Sequence, residues 1–279
     1  MRYDTPKKAV APPTPEMQET LELPLEPDFK GAEKVDVNLH QSMVSAFKMG
    51  NPYDKWFTAC FGFDTVLLYI GDGRRPVLGT FSPKSQQQAS QTQKGWLSSI
   101  TSYISGSDNA NGEPDWLTFT DCAPLLVATE ASLANVNKRL DKPISMIKFR
   151  PNIVVDGEKE WDEDFWAELA IDGKSTTLAL TKLCNRCTSL NVDYATGQPA
   201  EGDEGMVLKK LMVDRRVDLG LKYSPSFGRY GFLGDSKDGD EEVSLELGDE
   251  VSVTKTFEER PKWDWPMKDR QAARFYGQS

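Results

Sequence analysis

The chain has 279 residues, enough for one large core or two smaller ones, with 38% hydrophobic and 27% charged residues. Its formal charge of -10 argues against a phosphate backbone or an anionic bilayer as main partner, because those need clustered Lys and Arg. No apolar run approaches the ~20 residues that span a bilayer.

Four cysteines without regular pairing suit a reducing compartment better than a disulfide framework. The polar, proline-rich residues 1–15 do not read as a signal peptide. Prolines continue to Pro27, so residues 1–35 read as extended or loop-like, with room for a short strand at 21–25. One short strand fits 35–44. Asn51-Pro52 then starts a helix carrying Trp56, Phe57, Ala59 and Cys60 that stops at Gly62. Trp56 and Cys60, four apart, share one face and read as core contacts. Residues 63–70 read as an apolar strand. The polar, low-complexity residues 82–94 (SPKSQQQASQTQK) read as a mobile connection, followed by a short helix at 96–104 and a loop to 114.

From Trp116 onward the pattern sharpens. Residues 124–128 read as a strand, and Thr129 caps a helix in which Glu130 favours the positive end and Leu133, Val136 and Leu140 share a face. A second strand is predicted in 144–157, interrupted by Pro151. Residues 169–171 and 176–183 make a hairpin around Asp172-Gly173, with a two-residue turn. Strands are further predicted at 187–192 and 227–233, a helix at 207–216, and strict alternation over 243–253. The acidic run 158–164 reads as a solvated surface segment. Many short strands with few helices predict a mixed α/β, mainly β fold, a barrel or a curled sheet, without internal repeats.

Chemistry concentrates at Cys184-Asn185-Arg186-Cys187. The thiolate is the metal-binding and nucleophilic form of cysteine, and the permanent charge of Arg186 favours it. Structural zinc needs four ligands, but the other cysteines, Cys60 and Cys122, are isolated and His40 is the only histidine. A thioredoxin-like dithiol opens a helix, whereas the residues after Cys187 suit a strand. Two readings stay open: one soft thiolate for a heavier metal, or two reduced core thiols. Arg150, where a strand begins, offers a fork of donors for a phosphate or carboxylate, or else a surface ion pair. Asp121 heads a strand as a loop cap or a catalytic acid. Tyr230 is a core tyrosine or a hydroxyl for a ligand. A single histidine argues against Ser-His-Asp or Cys-His catalysis, and no glycine-rich phosphate loop is present.

Seven stretches together resemble the MOSC domain over about residues 116–255: 121–124, 129–133, 149–155, 184–187, 193–197, 224–230 and 247–251. That domain ends molybdenum cofactor sulfurases and occurs in the mitochondrial amidoxime-reducing component. The resemblance implies a MOSC-type β-barrel at 96–256, preceded by a partial MOSC N-terminal domain at 1–95 and followed by a tail at 257–279. Trp263 and Trp265 of that tail pack back on the domain or meet a partner. It implies a molybdenum cofactor (molybdopterin) with Cys187 as metal ligand, Arg150, Asn185, Arg186 and Tyr230 binding the cofactor, and Asp121 near the metal as a catalytic group. The activity implied is reduction of N-oxygenated substrates, with electrons from a cytochrome b5-type donor and its flavin reductase. The place implied is the cytoplasm or the outer mitochondrial face. A carrier module without turnover and a truncated, inactive remnant are the alternatives. A full sulfurase is disfavoured, since its aminotransferase domain with a pyridoxal-binding lysine has no room. The family's opening strand and Lys-rich turn, which grip the cofactor, have no counterpart here, and Cys122 and Ala123 stand where small hydroxyl residues are usual.

Overall fold

The computed structural model describes residue 1 and residues 14–94, 114–234 and 243–266. Helix α1 (Pro15–Gln18) is a single turn, and residues 21–25 form no strand. Where one strand was predicted in 35–44 there are two, β1 (Lys34–Leu39) and β2 (Ser42–Lys48). His40 and Gln41 turn the chain between them at φ 53° and 67°, the left-handed pair that a two-residue hairpin turn demands. The Asn38 side chain secures this turn, its Oδ1 accepting from Gln41 N at 2.7 Å.

Helix α2 (Tyr53–Phe61) ends at Gly62 as predicted, at φ 76°. Trp56 and Cys60 are buried against Leu21. The strand foreseen over 63–70 shrinks to β3 (Leu68–Tyr69), paired with β2. β4 (Arg75–Pro76) pairs with β5 (Trp116–Leu117) and so joins the first third of the chain to the remainder. The polar segment 82–94 is no loose connection but helix α3 (Pro83–Lys94). Ser82 Oγ accepts from Ser85 N at 3.1 Å, Pro83 sits in the first turn, and Gln86 Nε2 donates to Thr181 O at 2.9 Å. A cap and one long-range bond stabilise what composition alone would not. Residues 96–104, where a helix was predicted, and the loop at 105–113 lie outside the described residues.

The remaining strands are β6 (Leu125–Thr129), β7 (Ile153–Val155), β8 (Trp166–Ile171), β9 (Thr177–Asn185), β10 (Val192–Asp193), β11 (Gln198–Pro199), β12 (Ser226–Leu233) and β13 (Val251–Thr256). Six of them form one sheet in the order β13-β8-β9-β12-β6-β7, antiparallel except for the parallel β6–β7 edge. Of the two expectations, barrel or curled sheet, the second holds: the sheet is strongly curled, a half-barrel with β13 and β7 at its edges. The fold is mixed α/β with more strand than helix. The curl has a local cause in β12, whose pairing with β9 shifts register between Ser226 and Arg229 and again between Tyr230 and Gly231. Gly228 permits this at φ 82°, where a Cβ would lie 2.9 Å from Val127 O.

Thr129 Oγ1 caps helix α4 (Glu130–Asn137), accepting from Ser132 N at 3.2 Å. Leu133 and Val136 are buried and Leu140 packs on the same cluster. The segment 144–157 holds a 3-10 turn at Met146–Lys148, and β7 begins only after Pro151. The β8–β9 loop runs over residues 172–176, longer than a two-residue turn, because Ala170 pairs with Thr177. Helix α5 (Val207–Leu211) is shorter than predicted, and of 243–253 only the end joins β13.

One face of the sheet packs Phe149 on Phe227 with centroids 3.7 Å apart, beside α4 and α5. Another cluster gathers Phe81, Cys122, Cys184 and Tyr230 with Trp263 and Trp265, so the chain beyond β13 folds back into the core. The acidic run is the largest departure from expectation: Glu163 and Asp164 are fully buried. Arg215 holds Asp164 through two bonds of 3.0 and 2.7 Å and Arg260 adds a third at 2.8 Å, which makes the burial of Asp164 tolerable, whereas burial pushes the Glu163 carboxyl up.

Candidate metal and cofactor site

The cysteine pair straddles the end of a strand. β9 carries Cys184 and ends at Asn185, whereas Cys187 precedes a 3-10 turn at Thr188–Asn191 instead of opening the predicted strand. This break in the pleat separates the thiols. Cys184 is buried, and Cys187 is partly exposed with its Sγ 3.2 Å from Ser189 Oγ.

Arg186 sits between them. Its Nη1 donates to Cys184 Sγ at 2.9 Å and its Nη2 to Phe149 O at 2.8 Å. Burial pushes the Cys184 thiol up, with Arg186 opposing. Burial alone would weaken the guanidinium's hold on its proton, but Cys184, Tyr230 and Cys187 around it raise that hold instead. The cation is thus retained beside the accessible thiol.

Tyr230 enters from β12, buried, and its hydroxyl donates to Asp121 Oδ2 at 2.7 Å. Burial and then the neighbouring Cys184 push its phenol well above the ordinary range. Asp121 is fixed through its backbone by Arg75, a fully buried side chain that donates to Thr120 O and Asp121 O, both at 2.6 Å. Asp121 Oδ1 faces His40 Nε2 at 3.2 Å. Cys122, directly after Asp121, is sealed and its thiol pushed well up by burial.

Arg150 comes directly after Phe149, whose carbonyl Arg186 uses. Its backbone sits at φ 55°, a conformation unfavourable for a residue with a Cβ and most often seen where surroundings enforce it, as at functional sites. Its side chain is exposed, and its guanidinium has no hydrogen bond or ion pair among the described residues. Asn185 turns inward: its amide donates to Asp218 Oδ2 at 2.8 Å and accepts from Ser226 Oγ at 3.0 Å. The fold therefore brings Cys184, Arg186, Tyr230 and Asp121 into one wall with Cys187 and Arg150 at its rim, and places the Asn185 side chain behind it.

Two contributors had no sequence signal. Arg75 lies in a two-residue strand. Lys148 is buried, donating to Val192 O and paired with Glu204, its ammonium 5.0 Å from the Tyr194 ring centre, and so ties down the segment after Cys187. Among the described residues no group of three His, Cys, Asp or Glu could hold a metal.

The MOSC domain model matches residues 114–252. This is a MOSC domain protein. It is similar to the mitochondrial amidoxime-reducing component 1 of Homo sapiens, 36% identical over 123 residues, 43% of this chain and 35% of that protein. It also resembles component 2 of Macaca fascicularis, 38% identical over 115 residues (41% and 34%), and component 2 of Bos taurus, 36% over 136 residues (48% and 38%). The matched stretch thus spans about a third of the length of these curated relatives. Family membership points to a molybdenum cofactor, and the donor set agrees: one accessible thiol, a cation behind it, and an unpartnered guanidinium at the rim.

Proposed function

We propose that the protein binds molybdopterin with Cys187 as the thiolate ligand and reduces N-oxygenated substrates of the amidoxime or hydroxylamine type. The observation that carries this is the contrast within the pair: Cys187 open at the end of β9, Cys184 closed beneath Arg186. A structural pair would be buried together.

Each remaining residue has a role its surroundings allow. Arg186 keeps a positive charge next to the ligand sulfur and tunes the metal from behind it. Arg150 offers its fork to the cofactor's phosphate. Tyr230 holds the Asp121 carboxylate in place, and Asp121 is the group able to move protons at the substrate. Asn185 fixes the end of β9 through Ser226 and Asp218. When bound, the cofactor supplies the two-electron removal of oxygen.

In this reading residues 1–95 are a partial MOSC N-terminal domain, 96–256 the MOSC domain and 257–279 its tail. A cytochrome b5-type protein with its flavin reductase supplies electrons, in the cytoplasm or at the outer mitochondrial face. Among the described residues no helix is long and apolar enough to cross a membrane. The test is reduction of an amidoxime or hydroxylamine by metal-loaded protein with a chemical one-electron reductant. Turnover supports the reading, and fully loaded protein that leaves such compounds untouched refutes it in favour of a carrier.

A further inference from the structure

The only histidine of the chain, His40, is held in a built position. It sits at the tip of the β1–β2 hairpin, where a tip normally moves freely. Here three groups from distant parts of the chain meet it. Arg75 Nη1 donates to Leu39 O at 3.0 Å, Trp265 Nε1 donates to His40 O at 2.6 Å, and Asp121 Oδ1 faces His40 Nε2 at 3.2 Å. The same Arg75 grips the backbone of residues 118, 120 and 121, so imidazole and carboxylate are fixed by one guanidinium.

Asp121 is the centre of this arrangement. One oxygen receives the Tyr230 hydroxyl and the other meets His40. Its side chain is 49% exposed and that of His40 35%, so both are open to water, whereas Tyr230 is buried against Cys184 and Arg186. Asp121, from the loop before β6, faces the imidazole; Arg75 from β4 lies close by, on the Leu39 carbonyl, and Tyr230 and Cys122 act through Asp121. Docking the hairpin does not require the ion pair, since the Arg75 and Trp265 bonds already do it, and a half-exposed pair adds only about 0–1 kcal/mol.

We propose that His40 and Asp121 are the proton entry of the site, His40 taking protons from solvent and reloading Asp121, whose position Tyr230 fixes. This rests on the proposed function and deepens it. Reduction of an N–OH group breaks the N–O bond, consumes two electrons from a one-electron donor protein and two protons, and releases water and the N–H product. Those protons have to arrive at a site walled on its inner side by hydrophobic residues. Asp121, which would meet the substrate, delivers each proton and becomes the anion that His40 recharges. His40 acts through Asp121 and is a positioning and supply residue, not a catalytic one.

The test uses the metal-loaded protein and His40→Gln. Because there is one histidine, its ring nitrogens are read without ambiguity by ¹⁵N NMR. With a relay in place, His40→Gln keeps its fold and metal content, loses about tenfold or more in kcat with KM little changed and an altered pH profile, and recovers with added imidazole. The His40 ring signals move in Asp121→Asn, cofactor bound or not. Unchanged kcat and pH profile in His40→Gln, or ring signals indifferent to Asp121→Asn, overturns the relay. Wild-type protein that reduces no N-oxygenated compound refutes the underlying function instead, so the two failures are told apart.

Discussion

Neighbouring residues of β12 serve two arginine-centred clusters that treat charge in opposite ways. Arg229 donates to the carbonyls of Asp164, Trp166 and Leu180, next to an Asp164 carboxylate closed off by Arg215 and Arg260. Tyr230, pointing to the other face as alternation in a strand requires, joins Asp121, Cys184 and Arg186. In the first cluster a buried carboxylate is matched by cations and sealed. In the second, Arg186 lies on Cys184 beside an accessible thiol, and the exposed Arg150 that follows Phe149 has no partner among the described residues. Saturated charge holds a fold together, and unsaturated charge is what a ligand can complete.

Breaking the sealed cluster should have the largest effect. Arg215→Ala leaves Asp164 buried with only Arg260 and should cost about 3–5 kcal/mol of stability, read by urea denaturation. A loss under about 1 kcal/mol would show that the cluster is not structural.

Alkaline pH separates the clusters by sign. Cys122 and Cys184 have thiols raised above the ordinary 9.0, chiefly by burial. Above that value the unfolded chain has released protons that the folded chain keeps, so stability falls as pH rises, by up to about 1.4 kcal/mol for each thiol one unit higher. Arg229 works the other way. Burial lowers it to about 10, so above that pH the unfolded state binds more protons and its share of stability rises with pH. Denaturation midpoints at pH 8, 9 and 10 should fall, and the fall should shrink in Cys122→Ala. A flat profile would contradict the burial of these thiols.

A smaller and purely functional change is expected at the rim. Arg150→Ala should leave stability within about 0.5 kcal/mol and weaken cofactor retention roughly tenfold, measured as cofactor lost on dialysis. Strong destabilisation with unchanged retention would show that Arg150 serves the fold instead of a ligand.

Much of this contrast could be read from the residues, because it depends on local chemistry. Thr129 before Glu130, Gly62 after an apolar helix, and the run at 227–233 announce their elements through capping, φ freedom and β-branched or aromatic content. Cys187 stood out because a cation lies beside it. Partners far along the chain could not be read. Asp164 looked solvated because Arg215 and Arg260, which make its burial possible, lie 51 and 96 positions away. Helix α3 depends on a bond from Gln86 to Thr181, and Arg75 shows nothing in sequence of the four carbonyls it collects. The curl of the sheet arises with register shifts in β12 that strand propensity does not encode.

At the heart of the proposed function is the Cys187 sulfur as a metal ligand, with Cys184 as part of the wall. The most direct measurement is molybdenum per chain in purified wild-type, Cys187→Ser and Cys184→Ser proteins. We expect close to one equivalent in the wild type, near none in Cys187→Ser and most of it in Cys184→Ser. Equal molybdenum in wild type and Cys187→Ser would contradict that assignment.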